Sequence, residues 1–291
     1  MGTTVIAQSV LNGLVLGGIY ILVALGLTLV LSIVGIVQLA HGEVYMLGAY
    51  GMYCLCAGAG LNFFLALVIS ALLVGGLGIV LERFLFRPFR GQLDRALIIS
   101  IGLILLLQNA VLVIAGGTPR AFASPFSGVL SVLGVTLSLE RVVAVFVGLS
   151  FVSALFFLIQ RTKVGQAMIA ISQDREVASL QGININRISS ITMFLGCALA
   201  AVAGAVVGAM FSVTPFMGSF ALMKGIAVII LGGMGSIPGA VLGGLTLGLI
   251  DGIVPAFSTT HMAGLIGFGV IIMVLLFRPK GILGHEQKKN G

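Results

Sequence analysis

The sequence predicts an all-α polytopic membrane protein: a bundle of about eight membrane segments with broken or re-entrant helices, forming one transmembrane domain over residues 1–291. Three observations carry that prediction. Of 291 residues 59% are hydrophobic and 8% charged, against roughly 25% charged residues in an ordinary soluble domain. The apolar stretches approach the roughly 20 residues that a helix needs to cross a bilayer. They are continuous and do not alternate with the period of two that a barrel strand requires. The mean hydropathy of +1.24 says the same of the chain as a whole.

The spans follow in order. Val5–Leu31 comes first; "MGTTVIAQSV" puts no Lys or Arg ahead of it, so it lacks the basic leader of a cleaved signal peptide and is expected to be retained. Val44–Ala57, Phe63–Leu81, Ala96–Ala115, Val142–Ile159 and Ile188–Phe211 are next, then a glycine-broken Met223–Val254, and finally Met262–Phe277. No soluble domain fits between them. Cys54, Cys56 and Cys197 lie in apolar runs, where thiols act as small buried hydrophobes; they suggest neither a metal site nor a disulfide framework.

The net charge of +7 is a topology signal. Arg83, Arg87, Arg90 and Arg95 form one group, Arg161, Lys163, Arg175 and Arg187 a second, and Arg278, Lys280, Lys288 and Lys289 a third. These groups hold twelve of the fifteen cations, and the positive-inside rule assigns all three to the cytoplasm. The loop "GGTPRAFASPFSG" (Gly116–Gly128) is then external and the segment 161–187 cytoplasmic. Met223–Val254 must begin and end outside. Its "GGMGSIPG" suggests a half-helix that dips in, a turn at mid-membrane depth, and a helix that leaves. Irregular backbone at that depth survives only inside protein or along a wet cavity, and paired breaks point to a transport pathway. A faint echo, "LSIVGIVQLAHGEVYMLGAYG", interrupts the first half and suggests an internal repeat; if the halves repeat, the N-terminus is cytoplasmic and this break is also re-entrant.

Glycine supplies 42 residues, many at spacing four, as in Gly204/Gly208, Gly235/Gly239/Gly243 and Gly244/Gly248/Gly252, a pattern for close helix packing. Enzyme signatures are missing: the sequence contains no HExxH, GxSxG or CxxC spacing, and no GxxxxGK[ST] loop for ATP. The ionisable groups at apparent membrane depth are His41, Glu43, Lys224 and Asp251, which are functional candidates because charge is expensive there. Lys224 is expected to snorkel at the outer interface, with Asp251 near the same surface. His41 and Glu43 either pin the broken helix or line a pathway. Glu43 alone is placed as a proton-coupled carrier would need.

Within 161–187, Val164–Ile171 reads as a short helix, with Ser172 and Asp174 as cap residues for the next. Arg175–Gln181 follows, and Gly182 suits the residue past its end. Ala167, Ile171, Ala178 and Leu180 are expected on one side, with Gln166, Gln173 and Glu176 on another. Such an elbow lying along the cytoplasmic face suits docking of a soluble partner.

With these residues in view, the chain resembles a known family over essentially its whole length: the LivH-like permease subunits of branched-chain amino acid ABC transporters. The likeness rests on "VQLAHGEVYMLGAY", "LERFLFRPFRG" with "ALIISIGLILLLQN", "GQAMIAISQDREVASLQGIN", "KGIAVIILGGMGSIPGAVLGG" and "LFRPKGILG". It implies a multi-pass subunit of the bacterial inner membrane with a cytoplasmic C-terminus. The partners implied are a second, LivM-like permease, two cytoplasmic ATPase subunits and a periplasmic solute-binding protein. ATP and Mg would sit on the ATPase subunits and no cofactor on this chain. Carried over, the resemblance makes Gly165, Ala167, Asp174, Arg175, Glu176, Ala178, Leu180 and Gly182 the coupling elbow. The translocation pathway is expected along the two breaks, at Gln38, His41, Glu43, Tyr45, Gly232, Gly233, Met234, Gly235 and Pro238. Gln166 and Ile169 stand where the family usually has basic residues, so docking is expected to rest on packing through Ala167, Ala178 and Leu180. Gln38 stands where the family more often has Asn. The cargo implied is a branched-chain amino acid. Urea, amides or small carboxylates fit the same architecture, and an ATP-independent channel or ion-coupled carrier is the alternative of another class.

Overall fold

The structure, a computed structural model, describes residues 2–122, 125–126, 128–132 and 135–284. Lys288 and Lys289 of the third basic group, and parts of the loop Gly116–Gly128, lie outside the described residues. The chain is a helical bundle with one small hairpin. Among the described residues seven helices are long and apolar enough to cross a membrane, and a shorter apolar helix, Met217–Gly232, joins them.

Helix α1 (Gly2–Leu29) continues through a π-helical turn, Val30–Val34, and stops at Gly35, whose φ of 77° is a left-handed value that favours glycine. At 1.5 Å per residue, α1 and its extension reach roughly 50 Å. Residues 35–40 are not helical, and α2 (His41–Tyr53) begins after them. Helices α3 (Phe63–Leu81), α4 (Leu93–Ala115), the hairpin β1–β2 (Val129–Val132, Val135–Ser138) and α5 (Leu139–Arg161) follow. The strands pair antiparallel, Val129 opposite Ser138. The short helices α6 (Lys163–Gln173) and α7 (Arg175–Leu180) form an elbow before α8 (Ile185–Met210), and α9 (Met217–Gly232), α10 (Ile237–Ile253) and α11 (Thr260–Phe277) complete the bundle.

The two ends of the bundle are distinguishable. The Gln8 side chain accepts the Thr136 N–H of β2 at 2.9 Å, and Arg141 at the start of α5 donates to Asn12, so α1 begins at the hairpin end. Arg175 donates to the Val34 carbonyl at 3.5 Å, so α1 finishes at the elbow end. The beginning of α1 and the elbow therefore lie at opposite ends of the bundle.

Core contact rests on glycine in the way the spacing of four suggests. Helix α10 runs antiparallel to α1 so closely that a Cβ on Gly248 would sit 2.3 Å from the Gly17 Cα, and one on Gly252 2.3 Å from the Gly13 Cα. A Cβ on Gly204 of α8 would lie 1.9 Å from the Tyr45 carbonyl oxygen of α2. Without a hydrophobic drive between helices in lipid, such close backbone approach supplies the dispersion that holds them.

The second break departs from expectation. Helix α9 starts at Met217, earlier than the predicted segment, and its 16 residues extend about 24 Å. The turn that ends it is not at mid-membrane depth. Ile282 and Leu283, which follow α11, donate their N–H groups to the carbonyls of Leu231 and Gly232, each at 2.9 Å. On the other side, a Cβ on Gly235 would lie 3.3 Å from the Ser32 hydroxyl, in the turn that ends α1. The turn thus belongs to the elbow end: α9 runs toward that end and α10 away from it. The "GGMGSIPG" composition signals a turn but carries no information on depth.

Candidate functional site: a groove at the first break and an elbow at one end

The first break is the one that lies deep. After Gly35 the chain folds back alongside α1, so that a Cβ on Gly26 would meet His41 Nε2 at 2.9 Å. Gly26 precedes Val34 by eight residues, roughly 12 Å along the helix. Ile36, Gln38 and Ala40 are buried, and Ser100 of α4 donates to the Val37 carbonyl at 3.4 Å. The polar side chains here are fully enclosed. Gln38 and His41 lie against the Cys197 thiol and the Val23 backbone, whereas Oε2 of Glu43 has no hydrogen-bond partner among the described residues. Buried polar groups are nearly always paired, so the unpaired carboxylate oxygen calls for a reason.

Glu43 sits in the first turn of α2, where the helix dipole favours a carboxylate. It is 2% exposed, and it lines a groove of about 440 Å³ together with Ile104 of α4, Ser219, Leu222, Met223, Ile226, Ala227 and Ile230 of α9, and Phe268, Ile271 and Leu275 of α11. Glu43 is the one charged residue of that lining. Gly42 approaches Gly218 so closely that a Cβ on it would meet the Gly218 carbonyl oxygen, which brings α2 against the start of α9.

Not every predicted pathway residue reaches this groove. Gln38, His41 and Tyr45 are buried beside it, while Gly232, Gly233, Met234, Gly235 and Pro238 belong to the turn at the elbow end, where Met234 is exposed. The two breaks are therefore separate places.

Lys224 and Asp251 also depart from expectation. Lys224 does not snorkel alone: its Nζ donates to Asp251 Oδ2 at 2.6 Å, the Tyr20 hydroxyl donates to the same oxygen at 2.7 Å, and Nζ lies 5.6 Å from the centroids of Tyr20 and Phe220. The charge pair ties α9 to α10 and, through Tyr20, to α1.

The elbow has the caps its sequence promises, with one exchange. Asp174 accepts the N–H groups of Glu176 and Val177 at 2.9 and 3.0 Å, and Gly182 adopts φ 81° past the end of α7. Ser172 is not a cap; it lies inside α6 and donates to the Ile169 carbonyl. The cap of α6 is Thr162, which accepts the Gly165 N–H at 3.1 Å. Gly165 admits the sharp entry into α6, because a Cβ there would sit 2.3 Å from the carbonyl oxygens of Leu158 and Ile159.

The faces of the elbow are partly reassigned. Met168, Ile171 and Ala178 are buried against the bundle, and Gln166, Gln173 and Glu176 are exposed, as expected. Leu180, however, is 86% exposed and does not share the Ala178 face. The outward apolar side chains are Ile169, Val177 and Leu180. Arg175 is half-buried beneath the elbow; burial first, then neighbouring Arg90, lowers its guanidinium pKa, with Glu82 opposing.

Near Arg175 lies a network that sequence reading misses. Glu82, fully buried, accepts from Arg87 at 2.6 Å, Arg90 at 2.5 Å and the Ser190 hydroxyl at 2.8 Å, while Arg90 also donates to Asn186 Oδ1 at 2.8 Å. The basic group after α3 is thereby fastened to α8. The clue available was "LERFLFRPFRG", in which one acid stands among arginines. Among the described residues no group of three or more His, Cys, Asp or Glu is placed to hold a metal ion.

A family model described as "Branched-chain amino acid transport system / permease component" matches residues 9–275. The chain is 37% identical to the high-affinity branched-chain amino acid transport system permease protein LivH of Salmonella typhimurium, over 96% of each chain. It is 36% identical to BraD, the protein of the same description in Pseudomonas aeruginosa, again over 96% of each. To LivM of Escherichia coli it is 28% identical, over 94% of this chain and 70% of that one. Among solved structures, PsaBC from Streptococcus pneumoniae in complex with Fab matches with a TM-score of 0.53 at 15% identity, covering 92% of this chain and 91% of that one, a likeness of fold.

Proposed function

Since the chain belongs to the family of branched-chain amino acid transport system permease components, we propose that it carries branched-chain amino acids from periplasm to cytoplasm as one permease of an ABC importer. Belonging to that family makes it the permease and not the ATPase. A second LivM-like permease, two cytoplasmic ATPase subunits and a periplasmic solute-binding protein complete the assembly, and ATP with Mg is used on the ATPase subunits. The chain resides in the bacterial inner membrane with its C-terminus in the cytoplasm. Gathering of Arg87, Arg90, Arg175 and Lys280 at one end of the bundle supports that orientation.

The observation that carries this reading is the elbow. Two capped short helices stand at the basic end, held to the bundle by Met168, Ile171 and Ala178, and present Ile169, Val177 and Leu180 outward. An ATPase dimer closing on that surface would push α6–α7 against the end of α1 through Arg175 and the Val34 carbonyl. The adjoining helices would then move around the Gln38–Glu43 break.

The test is reconstitution in proteoliposomes with partner subunits and binding protein. Uptake of L-leucine should require ATP and the binding protein. Leu180→Asp should abolish both uptake and ATPase stimulation while the variant still inserts. Normal coupling in Leu180→Asp would remove the elbow from the mechanism, and uptake without ATPase subunits would identify a channel or carrier instead.

A further inference from the structure

The groove at the first break holds a carboxylate, Glu43, that makes no ion pair among the described residues and whose Oε2 has no hydrogen-bond partner there. We infer that Glu43 is the counter-ion for the α-ammonium group of the transported amino acid, whose aliphatic side chain lies along the apolar wall of the same groove. The inference rests on the importer reading for its cargo and on the groove geometry for the contact.

Five observations support it. Glu43 is 2% exposed, Oε2 has no hydrogen-bond partner, and it is the lone charge among the groove residues. A carboxylate removed from water without a partner is expensive, and a primary ammonium with three donors is the group that satisfies it. Apart from Ser219 the remaining wall is apolar, with Ile104, Leu222, Ile226, Ile230, Ile271 and Phe268 as its larger side chains. The volume of about 440 Å³ lies within the range of small-molecule sites, roughly 300–1,000 Å³.

Electrostatics select the cationic end of the ligand. An empty helix N-terminus attracts anions, but the first turn of α2 already carries the carboxylate of Glu43. A ligand with a carboxylate and no amine would meet like charge at close range with no ammonium of its own to offset it. The groove thus reads an amine with an aliphatic tail, and disfavours small carboxylates as cargo. No other lysine or arginine lines it to reverse that sign.

The experiment has two readouts on the complete importer in proteoliposomes. In the first, a hydrophobic carbodiimide modifies Glu43 and the adduct is quantified by mass spectrometry. L-leucine and isopentylamine at millimolar concentration should protect Glu43, whereas 4-methylpentanoate, which lacks the amine, should not. In the second, Glu43→Gln should lower L-leucine uptake by about tenfold to a hundredfold, the worth of a hydrogen bond to a charged group. Glu43→Asp should restore part of it, and copurification with partner subunits controls for folding. Equal protection by 4-methylpentanoate, protection by none of the three, or wild-type uptake in Glu43→Gln would overturn the assignment. Failure of the importer reading looks different: the wild-type complex would take up no leucine, and carbodiimide protection would then decide the Glu43 assignment alone.

Discussion

Two carboxylates, Glu82 and Glu43, are equally hidden and oppositely treated. Glu82 is fully buried and receives two guanidinium groups and a hydroxyl, so its charge is compensated by partners from its own helix end and from α8. Glu43 is 2% exposed, with a helix N-terminus behind it and an unpaired oxygen in an apolar groove. The desolvation penalty of a carboxylate is several kcal/mol, and a fold that satisfies one site with three donors is able to satisfy the other. The contrast separates a carboxylate used to build the bundle from one left available. Asp251 is intermediate, with one lysine and one tyrosine at 12% side-chain exposure.

The largest effect should come from the built site. Glu82→Ala leaves Arg87 and Arg90 facing each other without their shared acceptor, and loss of one partner from a buried pair costs about 3–5 kcal/mol. The expected outcome is a steep fall in the thermal midpoint of the purified permease and weaker assembly. A midpoint unchanged from wild type would place Glu82 in the same class as Glu43 and dissolve the comparison. Next comes Asp251→Asn, which strands Lys224 between α9 and α10; the expected loss is about 2 kcal/mol, between the surface and buried limits. The double variant Lys224→Met/Asp251→Leu should recover most of that stability, because two well-packed apolar side chains replace a pair without leaving a charge behind. A double variant as unstable as the sum of the single changes would show that no coupling exists.

The difference between these sites also marks what a sequence discloses. Caps are local, and Asp174 and Gly182 act where their residue types and neighbours place them. Span positions follow from apolar length, which is why α3 begins and ends where the sequence puts it. Long-range pairing is another matter: Ser190 reaches Glu82 across 108 residues, and Lys224 meets Asp251 across a turn. Read singly, each such ion looks like a separate interfacial group. Leu180 was hard to orient because α7 has six residues, too few for a period of 3.6 to define a face. The depth of each break was likewise not local. Residues 35–40 sink beside α1, whereas the glycine-rich turn after α9 stays at the elbow end because the C-terminal segment pairs with it.

The smallest stability effect, and the sharpest separation of the two carboxylates, belongs to Glu43→Gln. If Glu43 braced the broken helix, its neutralisation would unpair a native partner, but no partner is present for Oε2 and the substitution keeps the shape of the side chain. Removing the charge relieves a desolvation penalty and gives up the helix-dipole interaction, typically 0.3–1 kcal/mol. The two changes oppose each other, so the stability should stay within about 1 kcal/mol of wild type or rise. Uptake should fall in the same variant, whereas in Glu82→Ala stability and uptake should fall together. A Glu43→Gln permease that melts as early as Glu82→Ala would mean that the carboxylate serves the fold, and the groove would lose its claim to a ligand.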